Sequence, residues 1–147
     1  MKDILYLIIG LVIVIGSVFI FFTRSPTKDN QVKIIQINGA SIDVELVDTP
    51  QTREKGLSNR KTLENSKGML FIFDNASQYG FWMKDMNFAI DIVWIDENLH
   101  IIDIDKEVSP ETFPKIFYPE KEVKYVLEIP AGASDKYHFE IGAVIQL

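Results

Sequence analysis

The sequence predicts a small, mainly β domain, a sandwich or barrel-like fold with one or two short helices, preceded by one apolar helix at the amino terminus. Three observations carry this. Short runs rich in β-branched and aromatic residues recur from Val32 onward, separated by Gly, Asn and Pro. Two of these runs alternate apolar and polar residues with a period of two, as half-buried strands do. Residues 4–22 (ILYLIIGLVIVIGSVFIFF) hold no charge over 19 positions. As a helix they reach about 28 Å, close to the roughly 30 Å of a bilayer's hydrocarbon layer.

Each element follows in order. Tyr6 and the Phe21-Phe22 pair fall near the ends of the apolar run, where aromatic rings favour a membrane interface. The run exceeds the apolar core of a cleaved signal sequence, and no A-x-A-like site follows it. It therefore reads as an anchor over residues 1–22, with a signal sequence as the alternative. Residues 23–31 (TRSPTKDNQ) are polar and contain Pro26, so they read as a linker. The folded domain then occupies residues 32–147. Arg24 and Lys28 after the anchor argue for retention of the domain inside, but long domains translocate largely regardless of such charges. The expected arrangement is a single-pass membrane protein with its domain on the extracytoplasmic side.

Residues 32–38 and 41–47 flank Gly39 as a hairpin. In the second strand Ile42, Val44 and Leu46 alternate with Ser41, Asp43 and Glu45. Thr49-Pro50 opens a short helix, with Thr as N-cap, Pro at the first position and Gly56 as its stop. Residues 68–73 form a continuous apolar run and a buried strand. Strands over 81–85 and 90–96 follow, and Glu97-Asn98 turns the second of these into residues 100–105. Pro110, Pro114 and Pro119 mark a loop whose Phe113, Phe117 and Tyr118 are expected on the core. Residues 123–129 put Val123, Tyr125, Leu127 and Ile129 on one face. Residues 131–137 make one helical turn and 143–147 the last of eight strands.

The densest stretch, residues 68–96 (GMLFIFDNASQYGFWMKDMNFAIDIVWID), must be core, yet it carries Lys84, Asp85 and Asp91. It also carries a resemblance. Arg53, Gly56-Leu57, Arg60, Leu63, Gly68-Met69-Leu70-Phe71 and Phe73 begin the pattern. Phe81-Trp82-Met83-Lys84, Asp91-Ile92 and Ile95-Asp96 continue it, and Val126-Leu127-Glu128, Ala131-Gly132 and Ile141-Gly142 fit its carboxyl part. Over about residues 32–147 the chain resembles the family called domain of unknown function 192, also uncharacterised protein family 0127. The resemblance implies a small, mainly β domain, often behind a signal sequence or anchor, with no agreed activity. The chain departs from the family pattern at Ser58, where Met is usual, and at Asp85-Met86, where Asn-Thr or a similar pair is usual. It departs again at Ala89, where Pro is usual, and at Ala143, where Asp often stands.

Composition narrows the function classes. The net charge is −6, and from Val32 onward 12 basic side chains face 19 acidic ones, so no nucleic-acid partner is expected. Without Cys there is no disulfide, thiolate metal site or thiol nucleophile. His100 and His138 show no metal-ligand spacing, no G-x-S-x-G or phosphate loop is present, and Asp103-x-Asp105 falls short of a calcium site. No metal or cofactor is expected.

Five residues are the candidates for a ligand site. Asp91 has only apolar neighbours in its strand, and a buried carboxylate is costly unless satisfied. Its partner is Arg53, Arg60 or Lys84, or the backbone of a turn; otherwise it is a ligand anchor or general base. Trp82 and Lys84 share a strand face and are either core or the wall of a planar ligand's site. Arg53 and Arg60 bracket the short helix and can clamp an anion or bridge to Asp91 or Asp85. The leading reading is an anchored extracytoplasmic β-domain that binds a small ligand or an envelope protein. The alternatives are an Asp91-dependent envelope hydrolase or lyase, and a purely structural interaction module.

Overall fold

The computed structural model describes residues 31–147. The expected anchor (1–22) and nearly all of the expected linker (23–31) lie outside the described residues. Among those described, no helix is long and apolar enough to cross a membrane.

The chain builds strands β1 (Val32–Ile37), β2 (Ala40–Val47), β3 (Lys67–Ser77), β4 (Phe81–Trp82), β5 (Ile90–Ile95), β6 (Ile101–Val108), β7 (Ile116–Phe117), β8 (Val123–Pro130) and β9 (Ile145–Gln146). Two short helices, α1 (Pro50–Lys55) and α2 (Ala133–Lys136), interrupt them. Seven strands form one sheet in the order β6-β5-β8-β3-β2-β1-β9, while β4 and β7 pair separately. All ladders are antiparallel except β2 with β3. A parallel neighbour needs a crossover, and residues 48–66, with α1, supply it.

The carboxyl-terminal segment ties the two edges of this sheet together. Ile145 stands opposite Ile37 of β1, while its N–H donates to the Leu99 carbonyl (2.9 Å) and Ile101 N–H donates to the Ala143 carbonyl (2.9 Å). The sheet is therefore curled into a half-barrel. Side chains alternate across it, and each face has its own core. Ile35, Val44, Leu70, Val93, Leu127 and Ile145 fill the interior of the curl. Met69, Phe71, Ile92, Trp94 and Val126 face the other way, under Leu57, Met83 and Phe117 of the connecting segments.

Local chemistry explains the elements. Thr49 accepts from the Thr52 N–H, and Thr52 Oγ1 reciprocates at the Thr49 N–H, a capping box with Pro50 in the first turn. Gly56 ends α1 at φ 45°. Among the described residues nine strands replace the eight expected, several shorter. The run over 81–85 stops being strand at Trp82, because Asp85 turns into the left-handed region at φ 57°. Of the three aromatics expected on the core, only Phe117 is buried; Phe113 and Tyr118 stay open to solvent. On β8 both faces are covered, since the second core lies over the side opposite Leu127 and Ile129.

Candidate functional site

Two buried carboxylates stand on adjacent central strands and face opposite ways. Asp91 of β5 lies opposite Ile129, and Glu128 of β8 lies opposite Ile92. Asp91 therefore shares the face of Val93 and Ile129, and Glu128 that of Val126 and Ile92.

Asp91 is fully buried and saturated with donors. Its Oδ1 accepts from the N–H of Glu107 (2.8 Å) and of Gly132 (3.1 Å). Its Oδ2 accepts from the N–H (2.9 Å) and the hydroxyl (2.7 Å) of Ser134. Two features of the backbone create these donors. The β5–β6 ladder slips between Ile90 and Ile92, so that Lys106 and Glu107 together oppose Asp91, with Glu107 left-handed at φ 51°. Helix α2 begins after Gly132, which has no side chain to cap it, and Asp91 caps it from another strand. Of the partners considered from sequence, the backbone of turns is the one Asp91 has. It bonds neither Arg53, Arg60 nor Lys84, and it lies outside the cleft described next.

On the other face, a cleft of about 630 Å³ opens between α1 with its following loop, β3, and residues 79–85. Phe71, Phe73, Tyr79 and Phe81 wall it, Trp82, Lys84 and Arg53 stand in its lining, and Glu128 is its buried acid. The rings brace one another: Phe71 and Phe81 meet edge to face at 4.8 Å between centroids, and Phe73 stacks on Tyr79 at 3.6 Å. The loops on either side of the mouth are laced together. Ser58 Oγ donates to the Lys84 carbonyl (3.1 Å), Asn59 N–H to that of Asp85 (2.8 Å), and Asn87 Nδ2 to that of Arg60 (2.8 Å). Ser58 and Asp85 are two of the positions at which the chain departs from the resembled pattern.

Glu128 is 6% exposed. Among the described residues, nothing forms a hydrogen bond with its Oε2. Across the sheet Glu45 of β2, Met69 of β3, Glu128, Ile92 of β5 and Asp105 of β6 stand side by side. The cation that acts on Glu128, Arg60, is already paired. Arg60 makes a bidentate pair with Glu45 at 2.5 and 2.7 Å. Burial pushes the Glu128 carboxyl up to about 8, and the Arg60 charge only partly opposes this. At pH 7 it is a neutral acid, able to donate one hydrogen bond and to accept others. Asp105, further along the row, accepts from Trp94 Nε1 (2.8 Å) and is also raised by its burial.

Three of the five residues expected from sequence thus meet at the cleft: Arg53, Trp82 and Lys84. Arg53 is pinned, its Nη1 donating to the carbonyls of Asp48 (2.8 Å) and Ile72 (2.7 Å) while its guanidinium lies 5.0 Å from the Phe73 ring centre. Trp82 is half exposed, with Lys84 Nζ 5.7 Å from its ring centre. Arg60 is not part of the cleft's lining and acts on Glu128 through its charge. Sequence reasoning missed Glu128 as a site residue. The signal was available: like Asp91, it is an acid bracketed by apolar residues, Val126, Leu127 and Ile129, in a central strand.

The comparisons recover a family and a fold for this domain. Residues 33–147 match the model of DUF192, described as uncharacterized ACR. The chain belongs to the DUF192 family. A curated relative, the UPF0127 protein PH1112 of Pyrococcus horikoshii, is 29% identical over 72 residues. That match spans 49% of this chain and 56% of the relative, so about half the length of each is compared. Two solved structures share the fold. One, R01717 of Sinorhizobium meliloti 1021, whose given name proposes a transcription regulator, is 26% identical with a TM-score of 0.75, covering 80% of this chain and 95% of that one. The other, a protein of unknown function from Novosphingobium aromaticivorans, is 21% identical with a TM-score of 0.77, covering 84% and 90%.

Proposed function

We propose that this DUF192 domain is a ligand-binding module, and that its site is the aromatic cleft over Glu128. One observation carries the reading: a buried carboxyl with an unbonded oxygen borders an open cleft. Leaving a buried polar atom unsatisfied costs about 1–3 kcal/mol. A group that lowers stability in this way is retained where a ligand supplies the missing bond. The cleft's size and its aromatic walls set beside polar and charged side chains suit a small-molecule site.

The apolar run over residues 4–22 supports the further reading that the module is tethered to a membrane by a single helix, with the domain on the extracytoplasmic side. The same cleft would serve an envelope small molecule or the side chain of an envelope protein. An Asp91-dependent hydrolase or lyase draws no support, because all four hydrogen bonds to Asp91 come from turns that it holds in place. For R01717-like regulation through nucleic acid the acidic balance of the domain is unfavourable.

The test is thermal unfolding of the full chain against a panel of small amines, sugars, alcohols and carboxylates. A ligand that binds the native state raises the melting temperature with concentration. No shift from any class at millimolar concentration contradicts the proposal. For the tether, resistance of the chain to alkaline extraction from membranes is expected, and release into the soluble fraction contradicts it.

A further inference from the structure

Resting on that reading of the cleft, the geometry points to the chemical class of its occupant. We propose that the cleft takes a small organic cation, a primary ammonium carried on an apolar body, with Glu128 as its counter-ion and the rings of Phe71, Tyr79 and Phe81 around it.

Glu128 is an incomplete group. Its Oε2 is buried without a hydrogen bond among the described residues, so the site is short of one hydrogen-bond partner. The cations around it are each engaged elsewhere. From the loop after α1, Arg60 is already held in a bidentate pair by Glu45. From β3 and α1, Arg53 is fixed on two backbone carbonyls and on the Phe73 ring. From β4 and its loop, Lys84 lies toward the half-exposed Trp82. Glu54 and Lys55 of α1 and Asp85 after β4 complete the charged lining, which with Arg53 and Lys84 sums to one positive charge beside Glu128. Along the sheet, Asp105 is engaged with Trp94. Among the described residues no side chain bonds Glu128 Oε2, and an ammonium would supply both a donor and the counter-charge of the ionised carboxylate. Aromatic faces attract cations, most strongly where water is excluded, whereas an anionic head would meet the Glu128 carboxyl at its most buried point.

Binding would also move a proton. Glu128 holds its proton in the empty cleft because burial raises it to about 8. Beside an ammonium the ionised form is favoured, so the proton leaves to solvent as the ion pair forms.

The experiment compares three probes with one body and different heads, 2-phenylethylamine, 2-phenylethanol and phenylacetate, by calorimetry on the full chain at pH 7 in two buffers of unequal ionisation enthalpy. The amine should bind about tenfold or more tighter than the alcohol, and phenylacetate weakest. Amine binding should release close to one proton per site and tighten as pH rises toward 8. Glu128→Gln should remove the amine's advantage over the alcohol and the proton release, and an unchanged circular-dichroism spectrum of the variant reports an intact domain. Nα-acetyl-lysine amide tests whether the ammonium comes on a protein side chain; binding of either amine with proton release supports the inference, and the tighter of the two names the source. If the alcohol or phenylacetate binds as tightly as the amines, the cation is wrong and the ligand-binding reading stands. If no probe binds at millimolar concentration, both fail.

Discussion

Asp91 and Glu128 sit on neighbouring strands and point to opposite faces of one sheet. The first receives four hydrogen bonds, whereas Glu128 leaves Oε2 with none among the described residues. Identical chemistry in near-identical strand contexts has been put to opposite uses. Asp91 spends its charge holding a bulge and a helix start in place. Glu128 is left incomplete in the lining of the cleft.

Replacing Asp91 with Asn keeps the volume but removes an acceptor oxygen and turns an NH₂ toward backbone donors. At least one buried N–H is left unpaired. A loss of about 3 kcal/mol is expected, seen as a lower urea midpoint with an unchanged slope. An unchanged midpoint would contradict the role given to Asp91.

Glu128 makes stability depend on pH with a definite sign. Its folded value, about 8, lies above the ordinary 4.5 of an unfolded Glu. The native state therefore keeps a proton that the unfolded state loses. The contribution is fully present below about 4.5 and is lost as pH rises to about 8. Glu128→Gln should flatten that window and be more stable than the wild type at pH 8 by roughly 2–4 kcal/mol. Parallel stability–pH curves for the two proteins would rule this out.

Arg60→Ala separates the two carboxyls it serves. The pair with Glu45 is partly open to solvent, so the loss of stability should be about 1 kcal/mol or less. Because the Arg60 charge lowers the Glu128 carboxyl, its removal should move the Glu128 titration upward. Carbon-13 spectra of the carboxyl carbons read this directly, and a downward move would mean that another group controls Glu128.

Gly56 borders the cleft in a conformation closed to side chains. At φ 45° a Cβ there would lie 3.3 Å from the Phe71 ring. Gly56→Ala should cost about 1–3 kcal/mol in chemical unfolding, and a neutral result would show that the α1 stop relaxes freely.

Trp82 is half exposed and packs edge-on to Phe113 at 5.9 Å. Trp82→Ala should change stability by about 0.5 kcal/mol or less yet weaken binding of any ligand that reaches the cleft's mouth. Equal affinity in the two proteins would confine the site to its floor.

Much of this architecture was legible in the residues. Thr49-Pro50 and Gly56 bound a real helix because capping chemistry is local. The turns at Gly39 and Glu97-Asn98 were readable for the same reason. The end of β4 was not, since Asp85 adopts a left-handed turn tied by Asn59 across the chain. Asp91 was recognised as costly, but its donors at Glu107, Gly132 and Ser134 come from 16 to 43 residues away. Glu128 went unread because period-two alternation gives it a face without saying that a second core covers that face. Arg53, Trp82 and Lys84 converge on the cleft because α1 and β4 flank the same edge of β3, a relation that only topology supplies.

The most direct test of the account is the carbon-13 titration of the Glu128 carboxyl in the full chain, without and with saturating 2-phenylethylamine. The account predicts a midpoint near 8 for the free protein and a marked fall with the amine bound. A midpoint in the ordinary carboxylate range, or one that the amine leaves in place, would contradict it.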